Sequence, residues 1–268
     1  MTDIPDRGHK PPIGFTRHDA VINGTRTVLY AGGEGPPFLF LHGGGTFHGI
    51  DFAREWTRHF KMILPYHPGM GETAGDPGLE SMDAYLAHYD ALLEMLGLDE
   101  VYLGGISMGG WMAAEFALQY PDKVKKLVLV APSGVFDPAV PVPDLGAIPP
   151  DQLLSYLAHD PSVFEPYLPK TEAEAAAFGE RLAGEGQTMA RFLAKGPFRP
   201  GLEDEVGDLE MPVLLLWGRQ DRTLPPDLAG AWQKALPGIE VKLFDNAGHV
   251  LLDESAEARQ AVVEFLEG

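Results

Sequence analysis

The chain of 268 residues reads as an α/β protein, with a mostly parallel sheet of about eight strands between helices and a helical cap over the strand ends. Three observations predict this. Short apolar runs ending in glycine or proline alternate with helical patterns through most of the chain. A proline-rich stretch followed by alanine- and glutamate-rich pieces breaks that alternation once. A single serine stands at the apex of a strand, turn and helix, in Gly104-Gly105-Ile106-Ser107-Met108-Gly109-Gly110.

The elements follow in order. Residues 19–22 and 27–30 flank Asn23-Gly24, a two-residue hairpin signal, so an antiparallel hairpin opens the sheet. The runs at 37–41, 62–65, 101–104, 127–130, 213–216 and 241–244 are nearly all unbroken apolar, as strands buried on both faces read. Ser81 reads as an N-cap. Met82, Tyr85, Leu86, Tyr89, Leu93 and Leu96 then share one helical face, and Gly97 ends the helix. Residues 256–266 read as a similar helix capped by Ser255. Pro132, Pro138, Pro141, Pro143, Pro149 and Pro150 exclude regular helix or central strand between them. The sheet pattern resumes only at Met211. The core is therefore assigned to 1–133 and 206–268, and the cap to 134–205.

Composition narrows the function. Hydrophobic residues make up 45% of the chain, ample for a buried core. There is no cysteine, hence no disulfide framework and no thiolate chemistry. The net charge of −19 argues against nucleic acid and anionic membranes as partners. The polar opening lacks the apolar stretch of a signal peptide, and no run approaches a membrane span, so a cytoplasmic location is expected.

The turn at Ser107 must be tight, and Gly105 and Gly109 make its flanks small. Such a turn lifts the hydroxyl above the sheet at the positive end of a helix. A serine nucleophile needs a base and an acid that orients the base. In doubly wound sheets these belong beyond the C-terminal strand ends. Asp221 follows the run at 213–217, and His249 follows the run at 241–244. Asp137 is the rival acid, whereas Asp245 lies too near His249 along its loop. Donors for an oxyanion come from the Met108 N–H and the loop His42-Gly43-Gly44-Gly45. Phe136, Tyr156, Phe164 and Phe192 are candidates to line a substrate pocket, or else form the core of the cap. His42 and His67 read as braces and Trp111 as core, while His48, after the glycine loop, reads as a surface residue with contact to substrate the alternative. Arg219 and Arg222 read as surface ion-pair partners.

Together these stretches resemble the α/β-hydrolase fold family over nearly the whole chain except the cap. The resemblance rests on residues 105–109, 42–45, 218–221, 248–249 and His67-Pro68-Gly69-Met70-Gly71-Glu72-Thr73. It implies Ser107 as nucleophile, His249 as base, Asp221 as acid, and an oxyanion hole from Met108 and, by match to the histidine-glycine-X pattern, Gly44, with Gly43 the alternative. There are departures. Ile106 precedes the serine where many relatives carry histidine, and Tyr66 precedes His67 where aspartate is usual. Val250 follows His249 where carbon–carbon bond hydrolases often carry tryptophan. Relatives that cleave halides or epoxides use aspartate as nucleophile, so Ser107 argues against both.

The expected function is hydrolysis of small or medium carboxylic esters with no metal or other cofactor. The same triad serves carbon–carbon bond hydrolases, proline iminopeptidases, lactonases and cofactor-free perhydrolases. A ligand receptor on a hydrolase scaffold is the non-enzymatic alternative.

Overall fold

The computed structural model describes residues 13–73, 75, 81–149, 151–194 and 196–268. The polar opening, residues 1–10, and Pro150 lie outside the described residues.

One sheet runs in the order β1-β2-β4-β3-β5-β6-β7-β8. β1 (Thr16–Ile22) and β2 (Thr25–Gly32) form the opening hairpin. Asn23 and Gly24 both take positive φ, 50° and 87°, the pair of angles that this short turn requires. β2 also runs antiparallel to β4 (Lys61–Pro65). Every other pairing is parallel, through β3 (Pro37–Leu41), β5 (Val101–Ile106), β6 (Val124–Val130), β7 (Val213–Gly218) and β8 (Glu240–Phe244). β3, β5, β6 and β7 are almost wholly buried, which is why their sequences lack alternation.

Helices cover the sheet. The Ser81 hydroxyl accepts the Ala84 N–H at 3.2 Å to start α1 (Met82–Leu96), and Gly97 at φ 65° closes it. α2 (Met108–Gln119) leaves the serine turn and is buried along most of its length. A 3-10 helix at Asp51–Arg58 packs on α8 (Ala256–Glu267), where the Trp56 indole donates to the Arg259 carbonyl at 3.0 Å. Ser255 caps α8 through the Ala258 N–H at 3.0 Å, as its sequence implies.

Between β6 and β7 the chain makes its helical excursion. It contains α3 (Leu153–Leu157), α4 (Glu172–Phe192) and α5 (Leu202–Glu205) with short 3-10 turns. Thr171 and Glu174 form a reciprocal capping box at the start of α4. The excursion leaves and returns at one place. Gly134 N–H donates to the Pro197 carbonyl at 2.9 Å, and Arg199 N–H donates to the Gly134 carbonyl at 2.9 Å. The Arg199 guanidinium lies 2.6 Å from Glu115 on α2 and 2.7 Å from Glu205. Leu202 and Val206 already belong to the main core. α6 (Leu228–Ala235) and α7 (Leu251–Glu254) complete the fold.

Candidate active site

The site begins with a strained backbone. Ser107 has φ 56° and ψ −120°, a conformation L residues avoid, set where β5 turns into α2. Hydrogen bonds on three sides hold it. Its N–H donates to the Val130 carbonyl at 2.9 Å, and its carbonyl accepts from Trp111 at 3.0 Å and Ser133 at 3.2 Å. The flanking glycines are required by contact. A Cβ on Gly105 would stand 2.2 Å from the Gly109 carbonyl oxygen, and one on Gly109 would stand 2.3 Å from the Leu41 and His42 oxygens. The turn is therefore packed backbone against backbone, and Ser107 is the side chain at its apex.

Asp221 and His249 come together at the same edge of the sheet. β7 and β8 are parallel neighbours, so the loops leaving their C-terminal ends lie side by side. Gln220 N–H donates to the Ala247 carbonyl at 2.9 Å, and the Gln220 side-chain oxygen accepts from Ala247 N–H at 3.1 Å. The Trp217 indole donates to the Leu224 carbonyl at 2.9 Å and closes the Asp221 loop from below. His249 Nδ1 then meets Asp221 Oδ2 at 2.8 Å, with the carboxylate fully buried. Asp221 Oδ1 accepts from the Thr223 and Leu224 N–H groups at 2.8 and 2.9 Å. Since an ionised carboxylate only accepts, His249 Nδ1 carries the proton, and Nε2 is left as an acceptor. Ser107 Oγ has no hydrogen-bond partner among the described residues. Such contacts are often long before substrate binds and tighten afterwards.

The glycine loop sits beside the serine. A Cβ built on Gly43 would lie 3.4 Å from Ser107 Cβ, while one on Gly44 would lie 2.4 Å from the Met189 sulfur of α4. Neither Gly43 nor Gly44 donates a backbone hydrogen bond within the described protein. Met108 is the first residue of α2, so its N–H has no intrahelical acceptor.

Two buried histidines brace this loop. His67 N–H donates to His42 Nε2 at 2.9 Å, so the His42 proton is on Nδ1, which donates to the Gly43 carbonyl at 2.7 Å. His67 Nε2 donates to the His42 carbonyl at 2.7 Å, and its Nδ1 accepts from the Tyr89 hydroxyl. Complete burial pushes the His67 pKa down to about 4, which the bond to the His42 carbonyl only partly offsets. Both rings are therefore neutral struts for the loops after β3 and β4, as the sequence implies.

The aromatic candidates scatter. Phe164 is buried in a small cluster with Ala158 and Val250, next to His249, and its ring lies 5.3 Å from Phe47. Phe192 meets Trp111 and Tyr85 edge to face at 5.5 and 5.4 Å. Tyr156 lies under the Arg222 guanidinium at 4.1 Å. Phe136 is 44% exposed, and its ring partner is Phe198.

Two expectations are corrected. Arg219 makes the surface ion pair expected of it, with Asp245 at 3.2 Å, but Arg222 makes none among the described residues. Arg222 stacks on Tyr156 and reaches the Ser155 carbonyl at 3.4 Å, joining the Asp221 loop to the cap. His48 is not a surface residue. Its side chain is 13% exposed, packed near Phe47 and Phe164 and 3.4 Å from Asp253. The Phe164 ring, from distant sequence, lies 6.1 Å from its imidazole.

Sequence reasoning missed the residues that dock the cap. Glu254 accepts from the Gly248 and Asp160 N–H groups at 2.6 and 2.7 Å, and burial raises its pKa. Val250 N–H donates to the Leu157 carbonyl at 3.0 Å, so the cap grips the chain on both sides of His249. From α4, Glu185 and Thr188 reach the loops after β3 and β4. Their spacing on one helical face was the available signal, but polar residues at helical spacing ordinarily mark a solvated face.

Comparison with known proteins agrees with this architecture. The alpha/beta hydrolase fold family model matches residues 36–183 and 183–256. A 2-hydroxy-6-oxononadienedioate/2-hydroxy-6-oxononatrienedioate hydrolase of Paraburkholderia phymatum is 31% identical over 225 residues, covering 77% of this chain and 76% of the relative. Lipase 1 of Psychrobacter immobilis is 27% identical over 267 residues, covering 92% of this chain and 83% of the lipase. The crystal structure of a bacterial membrane phospholipase A superimposes with a TM-score of 0.79 at 24% identity, covering 95% of this chain and 86% of that one. With the family pattern spanning most of its length, and a serine turn, a buried Asp–His pair and a glycine loop on one sheet edge, the chain belongs to the α/β hydrolase fold family.

Proposed function

We propose that the protein hydrolyses carboxylic esters through an acyl-enzyme on Ser107. The observation that carries the reading is the 2.8 Å bond between Asp221 and His249, set beyond the same strand ends as the strained turn at Ser107. With its proton held on Nδ1, His249 offers Nε2 as the base. Nε2 takes the Ser107 hydroxyl proton as Oγ adds to the ester carbonyl. Asp221 keeps the ring in that tautomer and stabilises the imidazolium. The negative oxygen of the tetrahedral adduct is held by the Met108 N–H and a glycine-loop N–H, Gly44 or Gly43. His249 then protonates the departing alcohol. Water, deprotonated by the same histidine, adds to the acyl carbon and releases the acid and Ser107. The cap restricts substrate size and keeps bulk water from the adduct.

A fluorophosphonate probe with peptide mapping tests the nucleophile, and a chain-length series of p-nitrophenyl esters tests the substrate class. Labelling elsewhere than Ser107, or no ester turnover, rejects the reading. A second reading, hydrolysis of a carbon–carbon bond in a dienoic ring-cleavage product, is favoured by the names of several relatives. Turnover of such a product with inert esters would select it. Val250, in place of the tryptophan common after the histidine in those enzymes, supports the ester reading.

A further inference from the structure

We infer that Glu185 of the cap is a positioning residue for the oxyanion hole, holding the glycine loop from across the cap–core boundary. The inference rests on the proposed chemistry at Ser107. Arg181, Glu185 and Thr188 are the buried residues of α4, and their spacing puts them on one side of the helix. Glu185 is 3% exposed and serves three donors. One oxygen accepts the Thr46 N–H at 3.0 Å. The other accepts the Thr46 hydroxyl and the Gly71 N–H, the latter at 3.0 Å. Thr46 directly follows Gly43-Gly44-Gly45, and a Cβ on Gly45 would lie 3.8 Å from the nearer Glu185 oxygen. One turn later, the Thr188 hydroxyl donates to the Gly69 carbonyl at 3.2 Å. Met189 rests its sulfur on Gly44.

The physical need is plain. Three consecutive glycines have no side chains to pack and the widest backbone freedom of any residues. Yet an oxyanion donor must sit within a few tenths of an ångström of its place. His42 and His67 hold the N-terminal side of the loop. Glu185 holds the C-terminal side and ties it to the loop after β4. A carboxylate suits this task because both oxygens only accept, matching three donors, whereas an amide would turn an NH2 toward one of them. Docking of α4 and assembly of the oxyanion hole are thus one event.

The test compares Glu185→Ala, Glu185→Gln and Thr46→Val with the wild type. The readouts are kcat and KM on a p-nitrophenyl ester, the Ki of phenylboronic acid, which forms a tetrahedral adduct on a serine, and the melting temperature. Glu185→Ala is expected to lower kcat about 10²-fold with KM changed less than about threefold, and to raise the boronate Ki in step. Glu185→Gln and Thr46→Val should fall between it and wild type. A loss confined to KM, or unchanged kcat and Ki in a folded variant, overturns the inference, since a residue that only steadies the cap would move stability and substrate affinity alone. Should Glu185→Ala not fold, Thr46→Val decides, because it removes one donor and leaves the helix untouched. A wild type that neither labels at Ser107 nor turns over ester defeats the proposed chemistry and this inference together. An active wild type matched by its variants defeats this inference alone.

Discussion

His249 and Asp221 are joined at 2.8 Å, Nδ1 to Oδ2, across two loops that leave neighbouring parallel strands. The rival carboxylate, Asp137, spends its side chain on the Ala139 N–H at 2.8 Å within its own turn. Asp221→Asn is therefore expected to lower kcat about 10⁴-fold by allowing the wrong imidazole tautomer. Asp137→Asn should leave kcat near wild type. Steady-state kinetics on one ester with both variants checks the pair of expectations, and a reversed result would reassign the acid.

Ser107→Ala removes the atom proposed to be acylated. It should lower kcat by about 10⁴–10⁶ and abolish fluorophosphonate labelling. Because alanine bears the positive φ no better than serine, the melting temperature should not rise greatly. Near-normal turnover in this variant would end the acyl-enzyme mechanism.

The serine turn and the cap helix make opposite demands on glycine. Gly109→Ala forces a Cβ to 2.3 Å from two backbone oxygens and should destabilise the protein by about 3 kcal/mol or prevent folding. Gly184 lies inside α4 with nothing within 4 Å of its missing Cβ. Gly184→Ala should therefore stabilise by about 0.5–1 kcal/mol. Urea unfolding of the two variants gives both signs in one experiment, and a stabilising Gly109→Ala would show that the turn is not packed as described.

His67 makes stability depend on pH. Its pKa falls from the ordinary histidine value near 6.5 to about 4 on folding, so between those values the unfolded chain binds more protons. Its contribution is fully present above pH 6.5 and is lost progressively as pH falls to 4, about 3 kcal/mol in all. Urea midpoints from pH 7 to 4 should fall more steeply for wild type than for His67→Gln. Parallel curves would mean that folding leaves the ring's pKa unshifted.

Much of the site was legible because it is made by local chain geometry. The serine turn announces itself through glycines at fixed offsets, and apolar runs mark where strands end, so the residues beyond β5, β7 and β8 are legible in the sequence, whereas the order of strands in the sheet is not. The helix caps at Ser81 and Ser255 were legible for the same reason. What stayed hidden depends on contacts between distant segments. Glu185 reads as one of many glutamates in an alanine-rich helix until α4 is laid on Thr46 and Gly71. Arg222 reads as a surface charge until Tyr156 arrives beneath it. His48 looks exposed until Phe164 arrives beside it. In each case the partner lies more than sixty residues away, and no periodicity encodes it.

The paired junction at Gly134, Pro197 and Arg199 has a consequence for how such a molecule changes over time. Two chain ends stapled to each other present the same closed stump to the sheet whatever hangs between them, because closure entropy grows only slowly with length. The intervening cassette can be lengthened, shortened or grafted from a cousin while β6 and β7 remain in register. New selectivity can then arise above the proposed reaction centre while it is left alone, provided the graft brings an acceptor to the place Glu185 now fills.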